Sequence, residues 1–440
     1  MKSALPKVLQ PLAGAPLLKR VIDTARMLEP AAVCVVYGHG GERVRAALAA
    51  EDVTWVEQRE RLGTGHAVLQ ALPQVPDGHR VLVLYGDVPL ITVGTLEELL
   101  RLAGAQAVGL LTVRLDDPQG YGRILRNPRG QVRGIVEHKD ASRRELAVHE
   151  CNTGVMAAPA KLLRQYLARV RPGNAQGEYY LTDVIALAVK AKVPVRPLVA
   201  ADALEVQGVN DKAQLAELED AFRARSARAL LLAGVTLADP RRLDVRGTLT
   251  HGTDVTIDVN VVIEGRVHLG DRVQVGPGCV LRDAEIGADT QLFAHCVVEG
   301  AVIGERCNIG PFARFRPHAH LADGVHIGNF VEVKNSRLGE NSKANHLAYV
   351  GDAEVGARVN IGAGTIIANY DGANKHLTRI GDDVHTGSNS VLVAPITVGA
   401  GATVAAGSTV THSVPAGKLT VARARQTTIE EWQRPVRTRK

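Results

Sequence analysis

Residues Val255–Leu281 read VTIDVNVVIEGRVHLGDRVQVGPGCVL, and an aliphatic residue recurs in this stretch at every sixth position. A small or acidic residue usually follows the aliphatic one. A period of six is typical of the hexapeptide repeat, in which three hexapeptides form one triangular coil and the coils stack. We therefore predict a left-handed parallel β-helix with inward-pointing aliphatic side chains. The first series consists of Ile257, Ile263, Leu269, Val275 and Leu281.

The repeat continues almost to the end of the chain, with slips of phase and one long interruption. The polar segment Ala368–Thr378 (ANYDGANKHLT) separates two series of repeats. Because loops that interrupt a regular scaffold often carry function, we expect part of a functional site there. The further aliphatic positions are Ile286, Leu292, Val298, Ile303, Ile309, Leu321, Ile327, Val333, Val355, Ile361, Ile367, Val398, Val404 and Val410.

The first half of the chain has a different pattern. Short β-branched runs such as Ala32–Tyr37 and Val81–Tyr85 alternate with segments of helical spacing. This alternation predicts a layered, Rossmann-like α/β domain with a mostly parallel sheet. A further helical pattern, carried by Leu215, Leu218 and Phe222, predicts a connecting helix. We therefore divide the chain into an α/β domain (residues 1–212), a linker helix (residues 213–233) and a β-helix domain (residues 234–440).

The composition excludes several classes of protein. The 440-residue chain has no apolar run long enough to cross a membrane, and no signal-peptide pattern follows Met1. Its five cysteines form no CxxC pair, which favours a reduced, cytoplasmic compartment. The formal net charge is only +6, and the one basic cluster, at residues 434–440, has no interleaved aromatic residues. We expect neither a nucleic-acid partner nor a membrane partner.

Four segments of the repeat region are unusually polar for a solenoid, and they carry a family resemblance. Together they resemble the acetyltransferase half of the bacterial bifunctional enzymes that make UDP-N-acetylglucosamine. The resemblance implies transfer of an acetyl group from acetyl-CoA to glucosamine-1-phosphate. The segments are PFARFRP (Pro311–Pro317), NFVEVKN (Asn329–Asn335), KANHLAYVGD (Lys343–Asp352) and NIGAGTIIANYDG (Asn360–Gly372).

The chemistry of acetyl transfer fits residues in these segments. N-acetylation requires a group that accepts the proton of the amine, and His346 is the candidate because an imidazole titrates near neutral pH. Arg316 and Lys334 would hold the substrate phosphate, with Glu332 as a weaker candidate for orienting the amine. By resemblance, Tyr349 and Asn360 line the sugar pocket. The resemblance also implies an acetyl-CoA site formed by Ala363, Asn369, Tyr370, Ser388, Ala406 and Arg423.

The first half resembles the uridylyltransferase domain of the same family, which joins N-acetylglucosamine-1-phosphate to UMP from UTP and releases pyrophosphate. The matching segments include LPKVL (Leu5–Leu9), YGDVPL (Tyr85–Leu90) and QGEYYLTD (Gln176–Asp183). Asp87 follows a predicted buried strand, at the edge where ligands bind in such sheets. With Asn210 it would hold Mg²⁺ through hard oxygen ligands. The implied nucleotide and sugar site comprises Lys7, Gln58, Gly63, Thr64, Tyr85, Gly86, Asp87, Gly122, Glu137, Asn152 and Asn210.

The chain departs from the family pattern at its start. Members of the family begin with a strand and a Gly-rich loop of the form LAAGxGTRM, whereas SALPKVL here follows Met1 directly. A start placed at an internal Met and a true truncation are both open explanations. Because such a loop supplies backbone N–H donors to phosphate, we expect weak uridylyl transfer and intact acetyl transfer from the chain as printed.

The prediction is a cytoplasmic, homotrimeric bifunctional transferase with small-molecule substrates: glucosamine-1-phosphate, acetyl-CoA, UTP and N-acetylglucosamine-1-phosphate. Its product would feed peptidoglycan synthesis and, where present, lipopolysaccharide synthesis. Two alternatives stay open. The chain could be another sugar nucleotidyltransferase whose β-helix only regulates or oligomerises, or it could be a non-catalytic β-helix scaffold.

Overall fold

The computed structural model describes residues 1–38 and 40–437. The chain divides into two compact units, Met1–Phe222 and Arg223–Lys440. Residues 438–440 of the predicted basic cluster lie outside the described residues. No helix among the described residues is both long enough and apolar enough to cross a membrane.

The first unit alternates helices with strands. Its helices are α1 (Leu17–Arg26), α2 (Glu42–Ala47), α3 (Thr64–Ala71), α4 (Val93–Ala103), α5 (Arg143–Leu146), α6 (Ala160–Leu167), α7 (Asp183–Lys190) and the long α8 (Lys212–Leu232). Its strands are β1 (Pro11–Leu12), β2 (Ala15–Pro16), β3 (Cys34–Gly38), β4 (Thr54–Gln58), β5 (Arg80–Val83), β6 (Val108–Arg114), β7 (Arg123–Arg126), β8 (Val132–Val136), β9 (Glu150–Pro159) and β10 (Val195–Val199).

The main sheet of this unit has the order β10-β6-β9-β7-β8, with β5 also paired to β9. The prediction of a mostly parallel sheet is wrong, because β9 runs antiparallel to β5, β6 and β7. Only β10 and β6 pair in parallel within this sheet. Six of the ten residues of β9 are buried and its first half (ECNTG) is largely polar, and neither burial nor residue type indicates the direction in which a strand pairs with its neighbours.

Strands β3 and β4 form a parallel two-stranded sheet of their own. Among the described residues, neither is hydrogen-bonded to β5 or to any other strand of the main sheet. Val35 of β3 belongs to one buried apolar cluster with Leu18 and Ile22 of α1 and Val44 of α2. The two sheets therefore have separate hydrogen-bond ladders.

The predicted connecting helix is present as α8. Leu218 is fully buried in the first unit, and the guanidinium of Arg20 lies 4.3 Å from the ring centroid of Phe222. Gly234 follows the helix with φ of 95°, a conformation that glycine adopts without strain. The boundary between the two compact units falls within α8, after Phe222. The division of the chain at residues 212 and 233 therefore stays a prediction.

The second unit is a triangular parallel β-helix. The first face of the prism consists of Thr236–Leu237, Thr256–Ile257, Gln274–Val275, Gln291–Leu292, Asn308–Ile309, His326–Asn329, Lys343–His346, Asn360–Ile361, His385–Thr386, Thr403–Val404 and Leu419–Thr420. The second face consists of Val297–Glu299, Arg314–Phe315, Glu332–Lys334, Tyr349–Gly351, Ile366–Ala368, Val391–Val393 and Thr409–Val410. The third face consists of Ala301–Ile303, Ala319–Leu321, Arg337–Leu338, Ala353–Val355, Thr378–Ile380 and Ile396–Val398.

Three longer strands open the prism and contribute to both the second and the third face. They are Leu243–His251, Val261–Leu269 and Val280–Ile286. Every aliphatic position of the predicted repeat is buried in one continuous core. The predicted fold class, an α/β nucleotidyltransferase-type domain followed by a helix and a left-handed β-helix of hexapeptide repeats, is confirmed.

Where the chain turns from one face of the prism to the next, many residues adopt the left-handed backbone conformation. Between the first and second faces these include His295, Phe312, Phe330 and Leu347, and we call this edge the apolar corner. The rings of His295 and Phe312 stack with centroids 5.2 Å apart, and those of Phe312 and Phe330 with centroids 5.3 Å apart. Large apolar residues rarely adopt this conformation, which costs about 1 kcal/mol each.

The edge between the second and third faces differs in its residues. It carries Asp283, His318, Asn335 and Asp352, all with positive φ, and we call it the Asx corner. Asn and Asp tolerate the left-handed conformation because their short side chains bond to nearby groups. The insertion after Ala368 leaves the prism at this corner and returns at Thr378.

Replacing Phe315 with Ala tests the core of the β-helix. Phe315 is fully buried, so the cavity should lower the free energy of unfolding of this unit by about 3–5 kcal/mol. Val302→Ala is the matched control, because Val302 is 39% exposed on the third face and should cost less than about 1 kcal/mol. Urea titration followed by circular dichroism measures both, and equal losses would contradict this account of the core.

Candidate functional site

The predicted catalytic histidine lies in a row of residues stacked along the prism. Asn329, His346, Ala363, Ser388 and Ala406 occupy equivalent positions in consecutive coils, beside the apolar corner. The backbone N–H of the residue after each one donates to the carbonyl of the previous member, as Gly364 does to His346 at 3.1 Å. With strands about 4.8 Å apart, five positions span about 19 Å, which suits an elongated ligand.

Two further predicted residues extend this arrangement. Arg423 donates from Nη1 to the carbonyl of Ala406 at 2.6 Å, at the far end of the row. Asn360 lies on the first face, in a depression of about 380 Å³ that it shares with Lys343 and His385. The structure thus collects His346 and four of the six predicted acetyl-CoA residues along one edge.

The imidazole of His346 is exposed and oriented by one neighbour. Its Nδ1 lies 2.9 Å from Oδ1 of Asn329, which can only accept a hydrogen bond. Nδ1 therefore carries the proton in the neutral ring, and Nε2 is left as a base. Asn329 was not among the predicted site residues, although it opens the motif NFVEVKN.

Basic and acidic residues meet on the second face. Arg316 donates to Glu332 at 3.2 Å. Lys334, two residues further along the same strand, lies 3.8 Å from Oδ2 of Asp352. The neighbouring ammonium of Lys375 is the main reason that the pKa of Lys334 is lowered. The surplus of positive charge makes this face suitable for a phosphate.

The position of the Tyr349 side chain depends on a glycine two residues later, Gly351. Tyr349 pairs with Glu332 in the adjacent strand, and its phenol lies across Gly351. A Cβ at Gly351 would approach Oη of Tyr349 to 2.4 Å. Because Gly351 pairs with Lys334 in the adjacent coil, the phenol lies on the part of the second face that carries the basic residues.

The insertion supplies the remaining predicted residues at the Asx corner. Asn369 is buried and its side-chain amide donates to Asp352, whereas Tyr370 is 60% exposed and donates to the carbonyl of Gly372 at 2.6 Å. Hydrogen bonds from the backbone N–H groups of Asn374 and Ala373 and from His376 hold the pKa of Asp371 well below its usual range. The loop is therefore internally bonded.

The predicted residues of the second unit thus form two groups at opposite edges of the second face. His346 and its row stand at the apolar corner, and Asn369 with Tyr370 stands at the Asx corner. Glu332, Lys334 and Tyr349 lie on the face between them. Sequence reasoning missed Asn329, Asp352 and Lys375, although Asp352 closes the matched segment KANHLAYVGD.

In the first unit, the side chains of the two predicted metal ligands, Asp87 and Asn210, both contact the ammonium of Lys7. Nζ of Lys7 lies 2.6 Å from Oδ2 of Asp87 and 3.2 Å from Oδ1 of Asn210. The backbone N–H of Val209 donates to the carbonyl of Asp87, which fixes the two segments together. No group of three or more His, Cys, Asp or Glu arranged for a metal occurs among the described residues. One carboxylate and one amide oxygen fit Mg²⁺, which usually keeps several ligands from water and substrate phosphates.

The predicted sugar residues form a second group. The backbone N–H of Asn152 donates to the carbonyl of Gly122 at 2.8 Å, and a Cβ at Gly122 would lie 3.2 Å from Oε2 of Glu137. Thr182 donates to the other oxygen of Glu137 at 3.0 Å. Burial raises the pKa of Glu137, and the bond from Thr182 only partly opposes this rise. These residues can receive a ring bearing hydroxyl groups.

The predicted uracil residues lie at the start of α3. Gln58 donates to the carbonyl of Gly63 at 3.1 Å, and Thr64 accepts from the backbone N–H of Leu181. A Cβ at Gly63 would meet the carbonyl of Tyr179 at 2.8 Å, so glycine is required there. Burial raises the pKa of Tyr85 to about 12, and the carboxylates of Glu137 and Asp87 add to the shift. Tyr85 therefore stands between the three predicted groups.

Gly86 completes the predicted set, beside Asp87. A Cβ there would lie 3.1 Å from a methyl group of Leu18, so the glycine lets α1 pack closely. Among the described residues, the predicted site residues of the first unit thus form one connected region around β5. His66, whose ring bonds to Gln58 at 3.0 Å, was not among the predicted site residues, although it lies in the segment QRERLGTGHA (Gln58–Ala67) that resembles the family.

Comparison with known proteins gives matches to both halves. A model of the MobA-like NTP transferase domain matches residues 1–171, one of the GMPPB C-terminal domain matches residues 245–326, and one of the bacterial transferase hexapeptide (six repeats) matches residues 377–412. A solved nucleotidyl transferase from Methanothermobacter thermautotroptrophicus is 20% identical, with a TM-score of 0.35 over 50% of this chain and 85% of that chain.

Curated relatives match at much higher identity. The "Bifunctional protein GlmU" of Stutzerimonas stutzeri is 56% identical over 99% of this chain and 96% of the relative. That of Stenotrophomonas maltophilia is 57% identical over 99% of this chain and 96% of the relative. That of Azoarcus sp. is 57% identical over 100% of this chain and 97% of the relative.

Replacing Asn329 with Ala tests the orientation of His346. Without its acceptor, Nδ1 should lose its preference for the proton, and the neutral ring should populate both tautomers. Nitrogen-15 NMR of histidine-labelled protein distinguishes the tautomers directly. Asn341→Ala, at an exposed asparagine of the prism that is not paired with His346, is the control. A His346 spectrum unchanged by Asn329→Ala would exclude this role for Asn329.

The raised pKa of Glu137 has a consequence for stability. The folded chain holds this proton to higher pH than the unfolded chain, so the contribution of Glu137 to stability falls as pH rises through its folded pKa. Glu137→Gln removes that dependence, and the variant should gain in melting temperature relative to the parent as pH rises from acid to neutral. Glu145→Gln, at an exposed helix start, is the control, because its lowered pKa predicts the opposite trend.

Proposed function

The chain belongs to the family of bifunctional GlmU proteins, and from that premise we propose an assignment of each reaction to one unit of its structure. It is a bifunctional transferase of UDP-N-acetylglucosamine biosynthesis. In our proposal the β-helix acetylates glucosamine-1-phosphate with acetyl-CoA. The first unit then transfers the uridylyl group of UTP to N-acetylglucosamine-1-phosphate and releases pyrophosphate.

One observation carries the assignment of acetyl transfer: a histidine with a free Nε2 stands beside the basic second face. The amine nitrogen of glucosamine-1-phosphate attacks the thioester carbonyl of acetyl-CoA. Nε2 of His346 takes the proton that this amine loses. The C–N bond forms, the C–S bond breaks, and coenzyme A leaves as its thiol after taking up the proton. Asn329 keeps the proton of the neutral ring on Nδ1, so Nε2 is able to accept the proton of the amine.

The charges of the second face support the choice of a phosphorylated sugar. Arg316 presents a planar guanidinium that suits two phosphate oxygens, and Lys334 with Lys375 adds two ammonium groups. Tyr349 lies over Gly351 between these cations and the row of His346. A sugar bound by its phosphate on this face would reach the apolar corner with its amine.

The row beyond His346 supports acetyl-CoA as the donor. Ala363, Ser388 and Ala406 offer small side chains in consecutive coils, which leaves room for an extended chain along the prism. Arg423 stands at the far end with a guanidinium that would meet the phosphates of the nucleotide part. The thioester end would then lie beside Ala363, next to His346.

The convergence of Asp87 and Asn210 on one cation supports uridylyl transfer with Mg²⁺ in the first unit. A bound Mg²⁺ would neutralise charge on the phosphates of UTP. Lys7 would move its ammonium from these oxygens to a phosphate when the ion binds. Glu137 and Asn152 would orient the sugar, and Gln58 with Thr64 would bind the base.

We further propose a homotrimer in the cytoplasm. Phe312, Phe330 and Leu347 are 47%, 54% and 61% exposed in a single chain, and they flank the row of His346. A second copy packed on the apolar corner would bury them and exclude water from the reacting groups. The five cysteines form no disulfide in the structure, which agrees with a reducing compartment.

Paired assays test both assignments. His346→Ala should lower thiol release from acetyl-CoA with glucosamine-1-phosphate by about 100-fold or more, because the proton acceptor is lost. Asp87→Ala is the matched control, and it should leave thiol release unchanged while abolishing pyrophosphate release from UTP. Thiol release that survives in His346→Ala would overturn the acetyl-transfer site. Pyrophosphate release that survives in Asp87→Ala would overturn the metal site.

A further inference from the structure

We propose that Asp352 is a positioning residue of the acetyl-transfer site, and the inference rests on the function proposed above. Asp352 lies at the Asx corner, outside the set of predicted site residues. Its side chain is 10% exposed, so its carboxylate is almost removed from water. An isolated carboxylate in such a place is costly, and its partners therefore decide what it does.

Both carboxylate oxygens of Asp352 receive side-chain amides. Asn335, in the coil before, donates to Oδ1 at 2.5 Å, and Asn369, in the coil after, donates to Oδ2. Three equivalent corner positions thus form an Asn–Asp–Asn ladder with the acceptor in the middle. Because only the central residue lacks a donor, this order fixes which way both amides point.

The same residue holds both ends of the insertion. Asn369 is the first residue of the loop, and its amide is bound by Oδ2 of Asp352. Thr378 is the residue at which the chain rejoins the prism, and its backbone N–H donates to the carbonyl of Asp352 at 3.1 Å. The loop that carries Tyr370 and Lys375 is therefore anchored to a single residue at its two ends.

Asp352 also faces the cations of the second face. Lys334 lies 3.8 Å from Oδ2, and Lys375 stands beside Lys334. The carboxylate offsets part of the repulsion between these two ammonium groups, so both can remain near one substrate phosphate. Asp352 itself touches no reacting atom in this arrangement, and it acts through Lys334, Asn369 and the loop.

A corner aspartate could also serve the fold alone, and the chain offers a comparison. Asp283 occupies the same corner several coils away, with positive φ like Asp352. It is exposed, and within the described part of the chain its side chain accepts from the backbone N–H of Arg266 at 3.0 Å alone. Asp283 therefore shares the structural role of Asp352 but contacts no predicted site residue.

Steady-state acetyl transfer by the full chain tests the proposal. Asp352→Ala should raise the KM for acetyl-CoA by about tenfold or more, because Asn369 and Tyr370, two of the six residues predicted to bind acetyl-CoA, lose the anchor of their loop. Asp352→Asn should return the KM for acetyl-CoA to within about threefold of the parent, because Asn335 can turn its amide and the ladder can be rebuilt. The KM for glucosamine-1-phosphate should stay raised in this variant, because the charge that faces Lys334 and Lys375 is lost. Asp283→Ala should leave both KM values and kcat unchanged.

Several outcomes would overturn the proposal. The first is a KM for acetyl-CoA that is unchanged in Asp352→Ala. The second is a rise in this KM in Asp283→Ala that equals the rise in Asp352→Ala. The third is a rise in this KM in Asp352→Asn as large as in Asp352→Ala. Should the alanine variant fail to fold, as judged by circular dichroism, Asp352→Ser replaces it, because a serine hydroxyl is too short to bind both amides. A parent chain without thiol release would instead refute the proposed function itself.

Discussion

The stacking of one coil on the next is the interaction on which the second unit depends. Backbone N–H groups of each coil donate to carbonyls of the neighbouring coil, as Gly310 does to Ile327 at 2.7 Å and Gly387 does to Val404 at 2.7 Å. Because the bonds join equivalent positions of neighbouring coils, the side chains at each position form a row along the prism, and this arrangement repeats from coil to coil. The core column of aliphatic residues, the apolar corner and the Asx corner all follow from that repetition.

The same repetition places the functional groups. His346 is set by Asn329 one coil earlier, and Tyr349 has room because Gly351 has no side chain. The first unit has no such axis, and its site is assembled from loops after β5, before α3 and after Val209. There a partly buried tyrosine, Tyr85, and one lysine, Lys7, connect segments that are far apart in the sequence.

Much of this could be predicted from the sequence, and the reasons differ between the halves. A period of six needs only local residues, so every predicted aliphatic position is in the core, from Ile257 to Val410. The direction of β9 could not be predicted, because its residue pattern does not show which way the strand runs relative to its neighbours. Asn329 and Asp352 were missed because their partners lie one coil away, at a separation of 17 residues that no local pattern shows. The division into domains and the roles of the site residues remain predictions.

The return of the chain at Thr378 has a consequence for how this scaffold can change over evolutionary time. The coil that contains the insertion is longer than its neighbours, since Glu354 pairs with Arg379 although Arg337 pairs with Glu354, yet the ladder resumes in register. Coil stacking is thus independent of what the chain does between Ala368 and Thr378. Apart from the buried Asn369, residues of this loop can be gained, lost or exchanged without disturbing the core, so ligand preference can drift under selection while the stability of the prism is conserved.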